Sequence, residues 1–306
     1  MSSRSNTVSW AIVVCILWST AYPGIKIGLE YTTPLHFAGV RFILAGLMIL
    51  PFTVGIAAFG RMVRDNYRVF ALVTLFQSII NYVLFYLGMA LVPGAIGAII
   101  VGSQPLFVAI IVAVMSYENS LTRKKIAVIA VGIAGVILVS LGRQGLKLGT
   151  TAELLGVFLI MGANVASGIA NVLVSKAGTS VSPSALTSFS LFAGGVVIYL
   201  LALATEGTVM VPLAKGFGEY WITLLWLSFM SAFTFSVWYL LLQRPGVRVS
   251  DLNFWKFIIP VGGAVLSWLM VPDEKPQWLT ITGMVIITLS LILFYRCNHA
   301  NGHQPC

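Results

Sequence analysis

Two cations interrupt otherwise apolar stretches of this chain, Arg41 within residues 34–54 and Lys256 within 250–270. An ionised side chain in hydrocarbon costs on the order of 3 kcal/mol on insertion scales, so it is usually turned inward, paired or functional. No Asp or Glu lies at comparable depth; Glu118 and Glu274 fall near segment ends, and Glu30, Glu153 and Asp251 at boundaries. A carboxylate or other anionic group on a bound molecule would balance such a cation. The alternative for both is snorkelling to the membrane surface. The lack of a deep carboxylate also leaves the common Asp/Glu proton relay without a residue to carry it.

Hydrogen-bonding and aromatic side chains recur at helical spacing around these charges. Cys15, Trp18 and Tyr22 share one face at i, i+3 and i+7, and an offset of 149 residues turns them into Asn164, Ser167 and Asn171. One stripe is aromatic and the other amide-rich, which suits a cavity with a flat apolar wall facing a hydrogen-bonding one. Ser167, with Gly162 and Gly168, also reads as a small-residue strip for close helix packing. Gln77 and Asn81 lie four apart with Tyr82 adjoining, and Trp238 belongs to the matching segment of the second half. Gln104 precedes Pro105, while Asn253 and Pro260 flank Lys256 at i−3 and i+4. A mid-helix proline removes a backbone hydrogen bond. Pro105 and Pro260 therefore read as hinges or as fixed bends, and their recurrence in both halves favours hinges. The expected substrate-binding set is Trp18, Tyr22, Arg41, Asn81, Tyr82, Gln104, Asn164, Ser167, Asn171, Trp238, Asn253 and Lys256.

Other chemistry finds little support. Only His36 among the histidines lies in an apolar stretch, and Cys15, Cys297 and Cys306 have no paired spacing. No catalytic cluster, metal site or cofactor is expected.

The elements that must position these residues follow from composition. Of 306 residues 58% are hydrophobic and 9% charged, with mean hydropathy +0.97, against about a quarter charged in soluble domains. This describes an all-α integral membrane protein with no room for a soluble catalytic domain. A membrane-crossing helix needs about 20 apolar residues. Ten candidates run over 8–27, 34–54, 69–91, 94–115, 125–141, 153–175, 183–203, 220–242, 250–270 and 278–295. The N-terminal stretch lacks a small-residue cleavage pattern and reads as a retained span rather than a signal peptide.

The last five segments repeat the first five. Thr33-Pro34 recurs as Ser182-Pro183, Phe85-Tyr86 as Trp238-Tyr239, Pro105 as Pro260 and Glu118 as Glu274, at offsets of 149, 153, 155 and 156 residues. Five crossings per half place the halves upside down to each other, an arrangement that in transporters puts the substrate site at the repeat interface near the bilayer midplane. The expected division is residues 1–148, residues 149–296, and a polar tail at 297–306.

Basic residues set the orientation. One set of loops holds eleven, Arg4, Arg61, Arg64, Arg68, Arg123, Lys124, Lys125, Lys176, Arg244, Arg248 and Arg296; the opposite set holds five, Lys26, Arg143, Lys147, Lys215 and Lys275. Both termini are therefore expected in the cytoplasm. The net charge of +9 is spread through short loops, so it reads as a topology signal rather than as a nucleic-acid surface.

Leu17-Trp18-Ser19-Thr20-Ala21-Tyr22-Pro23-Gly24, the Arg41-Phe42 pair, and Pro105-Leu106-Phe107 followed by Tyr117-Glu118 resemble the EamA-type branch of the drug/metabolite transporter superfamily. The resemblance extends from about Ser9 to Tyr295. It implies ten helices in two inverted five-helix repeats, a central cavity, and movement of a small metabolite or amino acid, often as export, across a bacterial inner membrane. The amide-rich 164–171 and Lys256 depart from the family pattern. With the residues above, it points to alternating-access transport of small amphipathic metabolites, amino acids or related carboxylates, by a monomer or homodimer in the lipid bilayer. An organophosphate or nucleotide-sugar carrier is the rival, ranked lower because the two cations lie toward opposite faces. A non-transporting scaffold or receptor is a third reading.

Overall fold

A computed structural model describes residues 3–116, 122–141, 151–207 and 217–300. Glu118, Arg143, Lys147, Lys215 and residues 301–306 lie outside the described residues, and with them the expected match of Glu118 to Glu274 and most of the tail. Every regular element described is helical. In chain order these are α1 (Asn6–Gly28), α2 (Pro34–Phe52), α3 (Tyr67–Leu91), α4 (Gly94–Met115), α5 (Arg123–Leu141), α6 (Thr151–Ser180), α7 (Pro183–Thr205), α8 (Gly218–Leu242), α9 (Val249–Met270) and α10 (Thr280–Cys297). All but α5 are long and apolar enough to cross a membrane, nine among the described residues where ten were expected. α5 opens with Arg123, Lys124 and Lys125, and the uncharged stretch left is shorter than a full crossing. The helix containing α10 runs on to Ala300, past the expected start of the tail.

Local sequence explains the helix starts. Thr33 and Ser182 are extended, and Pro34 and Pro183 follow at the first turn, where a missing N–H costs nothing and the fixed φ suits a helix. The outside of the bundle is apolar: Ile16, Leu200, Phe229 and Leu289 are all exposed, as lipid-facing side chains must be.

α2 lies along α7, α4 along α9 and α5 along α10, while α1 packs on α8 and α9, and α6 on α3 and α4. Glycines permit the closest of these approaches. A Cβ at Gly39 would strike the backbone of Tyr199, one at Gly46 that of Phe192, and one at Gly195 that of Phe42 and Ile43.

At the end of the bundle where α1 leads into α2, carboxylates from the second half of the chain hold helix starts in the first. Glu206 accepts hydrogen bonds from the backbone N–H groups of Leu35 and His36 and from the Thr33 hydroxyl. Glu274 accepts from the N–H groups of Gly94 and Ala95 and from the Ser267 hydroxyl. Each carboxylate thus satisfies amides that a helix N-terminus leaves unpaired. Nearby, Tyr31 donates to the Glu219 carboxylate, which pushes its phenol above the usual range.

Candidate functional site

Four spans are interrupted, and all four interruptions border one cavity. α1 breaks at Thr20, between Trp18 and Tyr22; α3 widens into a π-helical stretch over Thr74–Ile80, which contains Gln77; α4 breaks at Ser103, just before Gln104; α9 tightens over Trp255–Phe257, around Lys256. Within a membrane such departures are tolerated where the backbone is enclosed by protein or lines a cavity. The π stretch places Gln77 and Asn81, four apart, on the cavity wall, with Asn81 donating to the Gln77 carbonyl at 3.2 Å.

The cavity, with the open space at its mouth counted in, spans about 670 Å3. Eleven of the twelve residues expected to bind substrate line it: Trp18, Tyr22, Arg41, Asn81, Tyr82, Gln104, Asn164, Ser167, Asn171, Trp238 and Lys256. Asn253 does not reach it. It stands fully buried behind Asn171, whose Nδ2 donates to its Oδ1 at 3.0 Å, and Asn171 Oδ1 in turn accepts from the Trp238 indole at 3.3 Å. Asn253 therefore orients a lining amide that fixes a lining tryptophan.

Lys256 is 4% exposed, and its ammonium donates to Gln104 Oε1 at 2.5 Å. The same nitrogen lies 5.1 Å from the centre of the Trp18 ring and 4.7 Å from that of Trp238. Among the described residues the amine thus meets one neutral acceptor and two ring faces, and no carboxylate. Arg41, 2% exposed, donates to the Tyr86 hydroxyl, to Ser231 Oγ at 2.7 Å and to the Leu227 carbonyl at 3.3 Å, and lies 5.0 Å from the Phe42 ring. It joins α2, α3 and α8 through neutral groups. Neither cation snorkels; both are buried and both line the same cavity.

Pro260 packs against α4. Gly102 abuts the Pro260 ring so tightly that a Cβ would overlap it, and Ser103 Oγ closes the turn before Pro105 by donating to the Ile100 carbonyl at 2.6 Å. Lining residues that polarity did not flag are Ala21, Ile25, Phe85, Val101, Ala163, Phe235 and Ile259. Spacing could have found some of them: Ala21 and Ile25 follow Trp18 at i+3 and i+7, on the face that already held Tyr22. Among the described residues no group of His, Cys, Asp and Glu is placed to hold a metal ion.

A bundle of helices with an apolar outside, around a cavity lined by polar, cationic and aromatic side chains, defines a multi-pass membrane protein. The chain matches the EamA-like transporter family over residues 5–141 and again over 154–296, and it belongs to that family. It is 25% identical over 297 residues to the uncharacterized transporter YvbV of Bacillus subtilis, covering 95% of this chain and 92% of that one. It is also 25% identical over 286 residues to the uncharacterized inner membrane transporter YedA of Escherichia coli, covering 91% and 89%. One solved crystal structure shares its fold at a TM-score of 0.72 with 16% identity, covering 99% of this chain and all of the other.

Proposed function

We propose that this transporter moves small amphipathic carboxylates, amino acids or related compounds, outward across the bacterial inner membrane by alternating access. The observation that carries this is Lys256, whose buried amine lies between Trp18 and Trp238 in a cavity whose lining, among the described residues, contains no Asp or Glu. A carboxylate entering there exchanges water for a charged partner in low dielectric, and charge-assisted hydrogen bonds are the strong ones. Apolar parts of the cargo lie against the aromatic wall.

The ten-helix, two-repeat reading, with halves 1–148 and 149–296, is supported by the packing, and the bias of basic loop residues supports both termini in the cytoplasm. Exchanging each helix for the one five places along turns α2–α7, α4–α9 and α5–α10 into themselves, α1–α8 into α6–α3, and α1–α9 into α6–α4. Two family matches in tandem support the same reading.

Proteoliposome counterflow tests the assignment. Wild-type protein preloaded with a carboxylate exchanges it for the labelled form, and Lys256→Ala reduces the exchange at least tenfold. Unchanged exchange in Lys256→Ala refutes the role given to this charge. Phosphate-bearing cargo is the second reading, favoured by Arg41 and Lys256 lining the same cavity. Preference for a sugar phosphate over an amino acid in the same assay selects it.

A further inference from the structure

The protein fixes how the cavity amides are turned. Asn81 Nδ2 donates to the Gln77 carbonyl at 3.2 Å and Asn164 Nδ2 to the Ile100 carbonyl at 2.9 Å. A carbonyl only accepts, so neither amide can be flipped without losing its bond. That leaves Asn81 Oδ1 and Asn164 Oδ1 without a protein donor among the described residues, on side chains that line the cavity. Two open acceptors therefore belong to a wall that, among the described residues, also carries Arg41 and Lys256 and no acid.

Those acceptors call for hydrogen-bond donors on the cargo, and charge decides which kind. An ammonium would meet two buried positive charges with little water to screen them and no carboxylate to offset them. A neutral O–H or N–H donor meets the same oxygens without that repulsion. The aromatic wall, Tyr82 to Phe235 at 6.1 Å and Phe235 to Trp18 at 5.6 Å between ring centres, offers flat apolar surface on the way to Lys256.

We infer that the cargo is a small organic acid without a free ammonium: its carboxylate at Lys256, its hydroxyl or amide N–H at the Asn81 and Asn164 oxygens, its apolar body on the aromatic wall. This rests on the carboxylate reading above and narrows it from amino acids to their N-acylated or α-hydroxy counterparts.

Titration calorimetry of the purified full-length protein with L-phenylalanine, N-acetyl-L-phenylalanine, 3-phenyllactate and 3-phenylpropionate tests it on one ring. N-acetylphenylalanine and phenyllactate are expected to bind at least tenfold more tightly than phenylalanine, and phenylpropionate, which lacks the donor, several-fold more weakly than phenyllactate. Asn81→Asp, which sets a carboxylate among the cations, is expected to shift the preference toward phenylalanine by tenfold or more. Phenylalanine binding as tightly as its acylated form in the wild type overturns this inference while leaving the carboxylate reading intact. An unaltered preference in Asn81→Asp, with unfolding still cooperative, also overturns it. Binding of none of the four by folded wild-type protein overturns both.

Discussion

Lys256 is held in place by contacts that a carboxylate can join or replace. Its bond to Gln104 is to a neutral oxygen, and the Trp18 and Trp238 rings offer only their faces. Truncating the amine as Lys256→Gln removes one charged hydrogen bond, worth about 1.5–3 kcal/mol. A loss of roughly 10- to 100-fold in affinity for a carboxylate follows, readable by equilibrium binding, with partial recovery in Lys256→Arg. Asn253 acts at one remove: it holds Asn171, which holds Trp238. Asn253→Ala leaves a buried amide without its partner and is expected to cost about 1–3 kcal/mol of stability, read as a lower thermal unfolding temperature, with weaker binding as Trp238 loosens. The sequence made most of the wall legible because polar residues in apolar helices must face inward, and Trp18, Tyr22, Asn164 and Asn171 do so. It could not separate Asn253 from Asn171, since polarity marks an inward side chain without saying whether it meets a cavity or another amide. Nor could it tell that Arg41 would be bound by Tyr86 and Ser231, because those partners come from α3 and α8 and are brought near only by packing.

At the scale of elements, the interruptions in α1, α3, α4 and α9 set the cavity's geometry. Pro105 and Pro260 announced bends in α4 and α9, whereas the π-helical Thr74–Ile80 stretch of α3 has no proline or glycine to mark it and depends on tertiary context. Likewise Glu274 reads in sequence only as a residue near a segment end; its work and that of Glu206, holding the first turns of α4 and α2, depends on contacts between distant parts of the chain. Replacing such a cap costs about 1 kcal/mol. Glu274→Ala, which also frees Ser267, is expected to lower stability by ~1–2 kcal/mol in a denaturant or thermal titration, and Glu274→Asp to restore part of it. The α2–α7 contact is less forgiving, because Gly46 touches the Phe192 backbone. Overpacking of this kind costs about 1–3 kcal/mol; Gly46→Val should cost that much or abolish folding, whereas Val at Gly60, where a Cβ meets nothing, should be neutral within error.

For the molecule as a whole, the family match occurs twice along the chain while the chemistry of the wall does not repeat. Trp18 and Tyr22 correspond to Ser167 and Asn171, Gln104 to Ile259, and Lys256 to Val101, and all eight line one cavity. Carboxylate clasps are likewise gathered at the end where Glu206 and Glu274 sit; at the start of α7, where Ser182-Pro183 matches Thr33-Pro34 of α2, the Ser182 N–H reaches Met62 sulfur instead. Under alternating access, releasing the clasped end exposes the cavity there. With the native cysteines replaced by serine and a thiol introduced as Tyr22→Cys, the pair Glu206→Ala and Glu274→Ala should raise labelling by a membrane-impermeant reagent several-fold from that side alone. Equal labelling with and without the clasps contradicts that mechanism.

The central claim, that Lys256 meets the carboxylate of the cargo, is tested most directly by crossing the two charges. Binding of a carboxylate and of its methyl ester is measured on wild type and on Lys256→Gln. The ester is expected to bind at least tenfold more weakly than the acid to the wild type and equally to the variant. The same ester penalty in both proteins would contradict it.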